Sequence, residues 1–316
     1  MATYLVTGGA GFIGSNIVDE LLRRGQRVRV LDNFSTGREE NVAEFASRVD
    51  LIRGDVRDEP AVDAAVKGVD YVLHQAALAS VPRSIADPGA NNQVNAQGTL
   101  NILIAAKRHA VKRVVYASSS SVYGDSEELP KVETMTPNPK SPYAVAKLAA
   151  EYYCRVYGDL HALPTVSLRY FNVFGPRQDP GSQYSAVIPL FVKALLEGKS
   201  PVIHGDGEQS RDFTFISNVV SANLLACEAR ITGARVYNIA CGGRYTLNQL
   251  FAALRDRIGT DVKPVYGAPR PGDVKHSMAG IERIQKELGY RVDISFEEGI
   301  DRTVQWYQTV GLKALG

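Results

Sequence analysis

The amino-acid sequence predicts an α/β fold: a doubly wound parallel sheet with helices on both faces, followed by a smaller mixed α/β lobe towards the C-terminal end. Three observations predict it. Short β-prone apolar runs alternate with helical spacing through the first half of the chain, the first strand-to-helix turn is rich in glycine, and the alternation becomes less regular after Gly175. At 316 residues the chain also exceeds the size at which a single core stops growing, about 250–300 residues. The expected division is residues 1–175 for the sheet, with later segments returning to it, and 176–316 mainly for the second lobe.

The run Thr3-Tyr4-Leu5-Val6 reads as the first strand. Gly8, Gly11 and Gly14 form the turn, and Phe12 to Arg24 is a helix by the apolar spacing of Ile13, Ile17, Val18, Leu21 and Leu22. Glycine here lets the backbone approach a diphosphate, while the free N–H groups and dipole at the helix start favour an anion. Glycines also punctuate ordinary loops, so the next strand matters. Gln26 to Leu31 ends at Asp32, eighteen residues after Gly14, where an acid binds the adenosine ribose hydroxyls of a dinucleotide. A plain strand-end turn residue is the other reading of Asp32. A carboxylate there repels a 2′-phosphate, and Asn33 stands where an arginine would favour NADP, so the cofactor expected in this Rossmann-type sheet is NAD.

A polar loop follows with Ser35, Thr36 and Gly37, and then the strand Val49 to Arg53 ends at Gly54-Asp55-Val56. Asp55 has two readings, an adenine contact or the cap of the helix Glu59 to Val66. Val69 to His74 is a further strand. It closes at Gln75-Ala76-Ala77, where small residues admit the ribose and diphosphate. A helix from Asn95 to His109 leads to the strand Arg113 to Ala117. Such regular alternation calls for right-handed crossovers in a parallel sheet.

Net charge is +2 with both signs interspersed, so no basic tract points to nucleic acid or an anionic membrane. No apolar run approaches the roughly 18 residues that span a bilayer, and the chain begins on a strand rather than a signal peptide. Cys154, Cys227 and Cys241 lie far apart without metal-ligand spacing, and no metal is expected. An odd, sparse cysteine set fits a reducing compartment, and the expected location is cytoplasmic.

Hydroxyls gather in Ser118-Ser119-Ser120-Ser121-Val122-Tyr123-Gly124, at the carboxyl edge of the sheet where a dinucleotide lies. Nineteen residues after Gly124 comes Tyr143-Ala144-Val145-Ala146-Lys147, whose four-residue step places Tyr143 and Lys147 on one helical face. A free tyrosine, with a pKa near ~10, is a poor base at neutral pH. Positive charge from Lys147 and an oxidised nicotinamide favours the phenolate and makes it a base for alcohol oxidation. A tyrosine and a lysine one turn apart are otherwise only a helix face with a buried ring; the dinucleotide turn and the serine-rich strand end favour the chemical reading.

Together these stretches resemble the extended short-chain dehydrogenase/reductase family and, within it, the nucleotide-sugar 4-epimerases. The likeness is carried by Thr7-Gly8-Gly9-Ala10-Gly11-Phe12-Ile13-Gly14, Asp32-Asn33, Gly54-Asp55, His74-Gln75-Ala76-Ala77, Asn95, Ser119, Tyr143/Lys147, Leu168 to Pro176 and Arg211-Asp212-Phe213, nearly the full length. It implies that Ser119 bonds the sugar O4, with Ser120 and Ser121 as neighbouring alternatives, that Tyr143 is the base, and that Lys147 lowers its pKa and holds the nicotinamide ribose. It also implies a loop of Tyr170, Asn172 and Val173 facing nicotinamide and sugar diphosphate, cofactor contacts from Asn95 and Ser118, and a homodimer built on the helix of Tyr143 and the helix after Asn95.

The stretch Pro201 to Phe213, with Val202, His204, Gln209 and Arg211, resembles the family's uridine and diphosphate segment. Arginine suits a diphosphate because its planar fork donates two parallel hydrogen bonds, so Arg211 and Arg270 are candidate clamps as well as candidate surface residues, and Asp273 a candidate for the uridine ribose. Related 4,6-dehydratases carry Thr-Asp-Glu where this chain has Ser119-Ser120-Ser121, and decarboxylases also place a glutamate there, so the reaction implied is C4 epimerisation through a transient 4-keto sugar with NAD retained. Ser277 matches the position where a bulky residue excludes an N-acetyl group. With small Ala79 and Ala186, neighbouring Ser80 and Val187, and the segments Arg169 to Pro180 and Tyr184 to Pro189, this points to UDP-GlcNAc/UDP-GalNAc, with UDP-glucose/UDP-galactose as a second activity. A UDP-glucuronate 4-epimerase, a dehydratase or decarboxylase, and a binding protein without catalysis are the alternatives.

Overall fold

Strands β1 (Thr3–Thr7), β2 (Arg27–Asp32), β3 (Asp50–Arg53), β4 (Tyr71–His74), β5 (Arg113–Ser119), β6 (Thr165–Tyr170) and β7 (Ala234–Ile239) form one sheet in the computed structural model, which describes residues 1–179, 186–269 and 275–311. The spatial order is β7-β6-β5-β4-β1-β2-β3, with every neighbouring pair parallel. The order reverses between β1 and β4, and a crevice opens there at the carboxyl ends of the strands.

Both faces of the sheet are covered, which is why its strands read as near-continuous apolar runs. Val6, Val30, Leu73 and Val115 pack with Ile17, Val18 and Leu21 of the helix Phe12–Arg23 and with Val219 and Leu224 of the helix Ile216–Glu228. Leu5, Leu31, Val72 and Val114 point the other way, towards Val62 of the helix Glu59–Val66, Ile102 and Leu103 of the helix Gly98–Arg108, and Cys154 of the helix Pro142–His161. Each such side chain, fully removed from water, stabilises the fold by roughly 1.5–3 kcal/mol.

The sequence reading contained no strand at 234–239. This strand lies at the sheet edge and mixes Arg235 and Asn238 with apolar residues, so its pattern is weak until β6 pairs with it. Arg113 ties the returning segment to β5: its buried guanidinium donates to the carbonyls of Ala226 at 2.9 Å and Cys227 at 3.1 Å, in the last turn of the helix Ile216–Glu228, and of Ile231 at 2.8 Å, just past it. The predicted helix from Asn95 is a π-turn, Gln93–Gln97, that leads into Gly98–Arg108.

Outside the main sheet, the segments after β6 are joined by pairs of very short strands. Val173–Phe174 runs parallel to Thr214–Phe215, Val202–His204 parallel to Val265–Gly267, and Ser210–Arg211 antiparallel to Tyr245–Thr246. An aromatic cluster of Phe174, Phe213, Phe215, Tyr245 and Phe296 fills the space among them. No helix among the described residues is long and apolar enough to cross a membrane.

Candidate active site

The carboxyl ends of β1, β2 and β4 enclose a cleft of about 250 Å³. Its floor is the turn after β1. Gly8 has φ +67°, and a Cβ there would lie 2.7 Å from the Ala76 amide nitrogen; a Cβ on Gly14 would lie 2.1 Å from the Gly8 carbonyl oxygen. Any side chain at either position would fill the space that the backbone leaves. Gly11, Phe12 and Ile13 continue this wall, Asn33, Ser35, Thr36 and Gly37 face it, and Val56, Gln75, Ala76, Ala77 and Ala79 complete it.

Asp32, 7% exposed, stands in the cleft with Oδ2 accepting from Ala10 N at 2.9 Å and Oδ1 from Phe34 N at 2.8 Å. Burial pushes its pKa up while these two N–H groups pull it back. Each oxygen keeps a lone pair for a further donor. Asp55, also in the cleft wall, is gripped by Arg57 at 2.8–2.9 Å and by Asn33 Nδ2 at 2.7 Å, and chiefly Arg57 holds its carboxyl down at about 2. The helix Glu59–Val66 is capped by Asp58, whose carboxylate accepts from Ala61 N, so the capping reading of Asp55 falls.

Two sequence-expected cofactor contacts act instead behind the cleft wall. Asn95 is buried and spends its amide on the loop, accepting from Leu78 N at 2.9 Å and donating to Leu78 O at 3.2 Å. Tyr170 is buried too, its hydroxyl donating to Gln75 Oε1 at 3.1 Å and accepting from Asn223 Nδ2 at 2.8 Å. His74 supports the same loop from below. Thr99 Oγ1 donates to Asn95 O, so it accepts from His74 Nε2, and His74 Nδ1 accepts from Thr7 Oγ1, which in turn receives Ala76 N–H. Burial holds this imidazole neutral, with its pKa down at about 3.

Beside the cleft, β5 ends at Ser118 and Ser119, which point to opposite faces of the sheet. Ser118 was expected at the cofactor; its hydroxyl instead donates to buried Glu151. Ser119 Oγ accepts from Ser121 N at 3.2 Å, capping the turn Ser120–Tyr123, and pairs with the Tyr143 phenol. The Ser121 hydroxyl oxygen is buried without a hydrogen-bond partner.

Tyr143 is the second residue of the helix Pro142–His161, whose start is set by Pro142 and by Ser141 Oγ accepting from Ala144 N at 3.2 Å. Burial pushes its phenol pKa up and the Ser119 hydroxyl pulls it down. One turn further, Lys147 is 2% exposed; its Nζ donates to Ala117 O at 2.8 Å and lies 5.9 Å from the Tyr143 ring centre. Burial brings this ammonium down to about 7, with Glu151 opposing the shift.

A second cavity of about 470 Å³ gathers Asn172, Ala186, Val187, Val202, His204, Gln209 and Arg211, all expected on the substrate side. Val173, expected at the cofactor, lies here too, whereas Ala79, expected at the substrate, lines the first cleft. Ser80 caps the helix Val81–Ala86 by accepting from Arg83 N at 3.2 Å. Ser277 donates its N–H to Ser210 O at 3.0 Å, beside the strand that carries Arg211. Pro180, Tyr184, Arg270 and Asp273 lie outside the described residues.

Residues 4–240 match the NAD dependent epimerase/dehydratase family. The chain belongs to that family. A putative UDP-glucose 4-epimerase of Methanocaldococcus jannaschii is 37% identical over 305 residues, 96% of this chain and 97% of that protein. Among solved structures, the UDP-N-acetylglucosamine 4-epimerase from Methanobrevibacter ruminantium M1 in complex with UDP-N-acetylmuramic acid is 42% identical with a TM-score of 0.93, covering 98% of both chains. The UDP-glucose 4-epimerase of Thermus thermophilus, in complex with NAD, is 38% identical with a TM-score of 0.89, over 98% of this chain and 99% of that one. Proteins named as a decarboxylase and as a 4,6-dehydratase match over nearly the whole chain as well.

The cofactor of this family member is NAD, and the residues present fit it: two turn positions that admit only glycine, small Ala76 and Ala77 opposite, and an acid with acceptor capacity at the end of β2. Three residues of the site have no individual role in the sequence analysis. Glu151 follows Lys147 by four residues, the one signal that could have found it, and Arg169 pairs with it through Nε at 2.9 Å and Nη2 at 2.8 Å. Asp212, wholly buried next to Arg211, accepts from Cys241 N at 2.9 Å, Gly242 N at 3.1 Å and Ala279 N at 3.2 Å, with burial pushing its pKa up to about 6.

Proposed function

We propose that the protein interconverts C4 epimers of a UDP-hexose, UDP-GlcNAc and UDP-GalNAc first, with UDP-glucose and UDP-galactose as a second activity. The observation that carries this reading is the convergence of Ser119, Tyr143 and Lys147 beside the NAD cleft, with serines and no carboxylic acid at 120 and 121. Elimination of water across C5 and C6 needs an acid there, and Ser120 and Ser121 supply none.

Bound NAD supplies a reversible two-electron acceptor at the edge of the site. The Tyr143 phenolate takes the proton of the sugar 4-hydroxyl, Ser119 bonds O4, and the Lys147 ammonium lowers the cost of the phenolate charge. Arg211 in the second cavity holds the diphosphate, so the hexose can turn its other face to the same groups before the proton returns to O4. Gly8, Gly11 and Gly14 hold the cofactor diphosphate, and Asp32 accepts from the adenosine ribose.

The reading extends to a homodimer. The helix Pro142–His161 leaves Val145, Tyr152, Val156 and Leu160 exposed, and Ile104 of the neighbouring helix adds to this apolar stripe. A second copy of the same pair of helices would cover it.

The test is incubation of the purified protein, without added cofactor, with UDP-GlcNAc and separately with UDP-glucose, the C4 epimers being resolved by chromatography. Both are expected to convert, the N-acetyl sugar faster, and Tyr143→Phe is expected to retain NAD while losing about 10²–10⁴-fold in rate. Conversion of neither sugar with NAD supplied removes both substrates; full activity in Tyr143→Phe removes the base.

A further inference from the structure

We propose that Glu151, clamped by Arg169 and Ser118, is a positioning residue that keeps the Lys147 ammonium charged and thereby sets where Tyr143 ionises. The inference rests on Tyr143 being the base, but on no particular sugar.

The geometry is that of a buried counter-charge. Glu151 lies one helical turn beyond Lys147 and two beyond Tyr143, on the same inward face. It is 4% exposed, and none of its bonds is to solvent-facing groups: Oε1 accepts from Arg169 Nε at 2.9 Å and from the Ser118 hydroxyl, and Oε2 accepts from Arg169 Nη2 at 2.8 Å. Arg169 is as deeply buried, on β6, and Ser118 sits on β5. The carboxylate is therefore fixed by three donors from two strands and cannot swing to meet the lysine. It acts on Lys147 as a field at a set distance.

The groups facing Lys147 can be taken element by element. Its own helix supplies Tyr143, Glu151 and Cys154, β5 supplies the Tyr116 ring at 5.0 Å, β4 supplies His74, and β6 supplies Arg169 behind Glu151. Burial keeps the Cys154 thiol and the Tyr116 phenol protonated and His74 uncharged at neutral pH. Apart from the Tyr143 phenolate itself, Glu151 is the one anion in this set. Desolvation disfavours the ammonium, and its pKa of about 7 already includes the help of Glu151.

The consequence follows from coupled titration. When Tyr143 and Lys147 share one proton, it resides on the nitrogen, leaving a phenolate, or on the phenol, leaving a neutral amine. A negative charge nearer to the lysine favours the first arrangement. Without that charge the first proton lost comes from Lys147, and the phenolate forms only at higher pH.

The experiment is an ultraviolet difference titration of the tyrosinate absorbance in the NAD-loaded full-length protein, each variant read against its own Tyr143→Phe counterpart. Glu151→Gln is expected to move the Tyr143 transition up by at least one pH unit, tenfold in the ionisation constant, and Glu151→Asp to restore most of the wild-type position. Glu151→Gln leaves the Arg169 charge buried and unpaired, so Glu151→Gln/Arg169→Met is measured beside it, and an upward shift in that folded double variant supports the proposal where the single one unfolds. A Tyr143 transition that stays at the wild-type pH in a folded, NAD-retaining variant overturns it. A normal wild-type transition in a protein that converts no UDP-hexose would sink the proposed function and leave this inference standing.

Discussion

The cleft beside β1 is walled mainly by backbone and small residues from the turns that follow β1, β2 and β4, whereas the cavity around Arg211 is assembled from segments between Asn172 and Leu247 joined by two- and three-residue strands. In the first, glycine conformation and strand register do the shaping, and both are local properties of sequence. Around the second, single buried polar side chains tie together segments distant in the chain. Asp212 gathers three N–H groups, and Asn218 accepts from Ile294 N at 3.1 Å and donates to Ile294 O at 2.8 Å. A shape made by backbone resists substitution through sterics, and a shape made by polar clamps fails when one acceptor is lost.

The largest expected effect is at Gly14. An alanine Cβ would overlap the Gly8 carbonyl oxygen at 2.1 Å, and the turn cannot yield without moving the helix start. Gly14→Ala is expected to lose co-purified NAD and about 3 kcal/mol of stability or more, read from urea unfolding. A variant that keeps both would show that the cleft is not shaped by backbone after all.

A smaller and more local loss is expected from Asp212→Asn. Its amide nitrogen cannot accept the N–H groups that the carboxylate now takes, which costs about 1–3 kcal/mol. Because Asp212 adjoins Arg211 of the second cavity, KM for the UDP-sugar should rise while NAD retention is unchanged. Loss of NAD together with substrate affinity would mean that the two regions are not separate in the way their construction suggests.

A further effect is in pH. The folded Lys147 has its pKa brought down to about 7, against an ordinary value near 10.5, so between those values the unfolded chain binds a proton that the folded one does not. Stability contributed through this group is therefore least below pH 7 and rises towards pH 10.5. Measured without NAD, wild type should gain stability relative to Lys147→Met between about pH 7 and about pH 9. Parallel curves would show that the lysine is not desolvated.

Much of the cofactor side was legible because its signals are short-range. Gly8, Gly11, Gly14 and Asp32 lie within one strand, turn, helix and strand, and Tyr143 and Lys147 are one helical turn apart. Asn95, Tyr170 and Ser118 are cofactor contacts only by the family resemblance, and their side chains turn to Leu78, Gln75 and Glu151, which no spacing reveals. Strand β7 escaped notice for a similar reason, since Arg235 and Asn238 interrupt an apolar pattern that only pairing with β6 explains.

By itself, then, the sequence determined the strand–helix alternation from β1 to β5, the glycine turn, the acid at the end of β2 and the pairing of Tyr143 with Lys147, because each depends on residues close together in the chain. Only the tertiary structure decided that Glu151 meets Arg169 and Ser118, that Asp212 binds the segments at 241 and 279, and that Val173 and Ala79 face opposite cavities. Those choices depend on which face of a strand or helix a side chain finds opposite it, and residues that are distant in the chain settle that together.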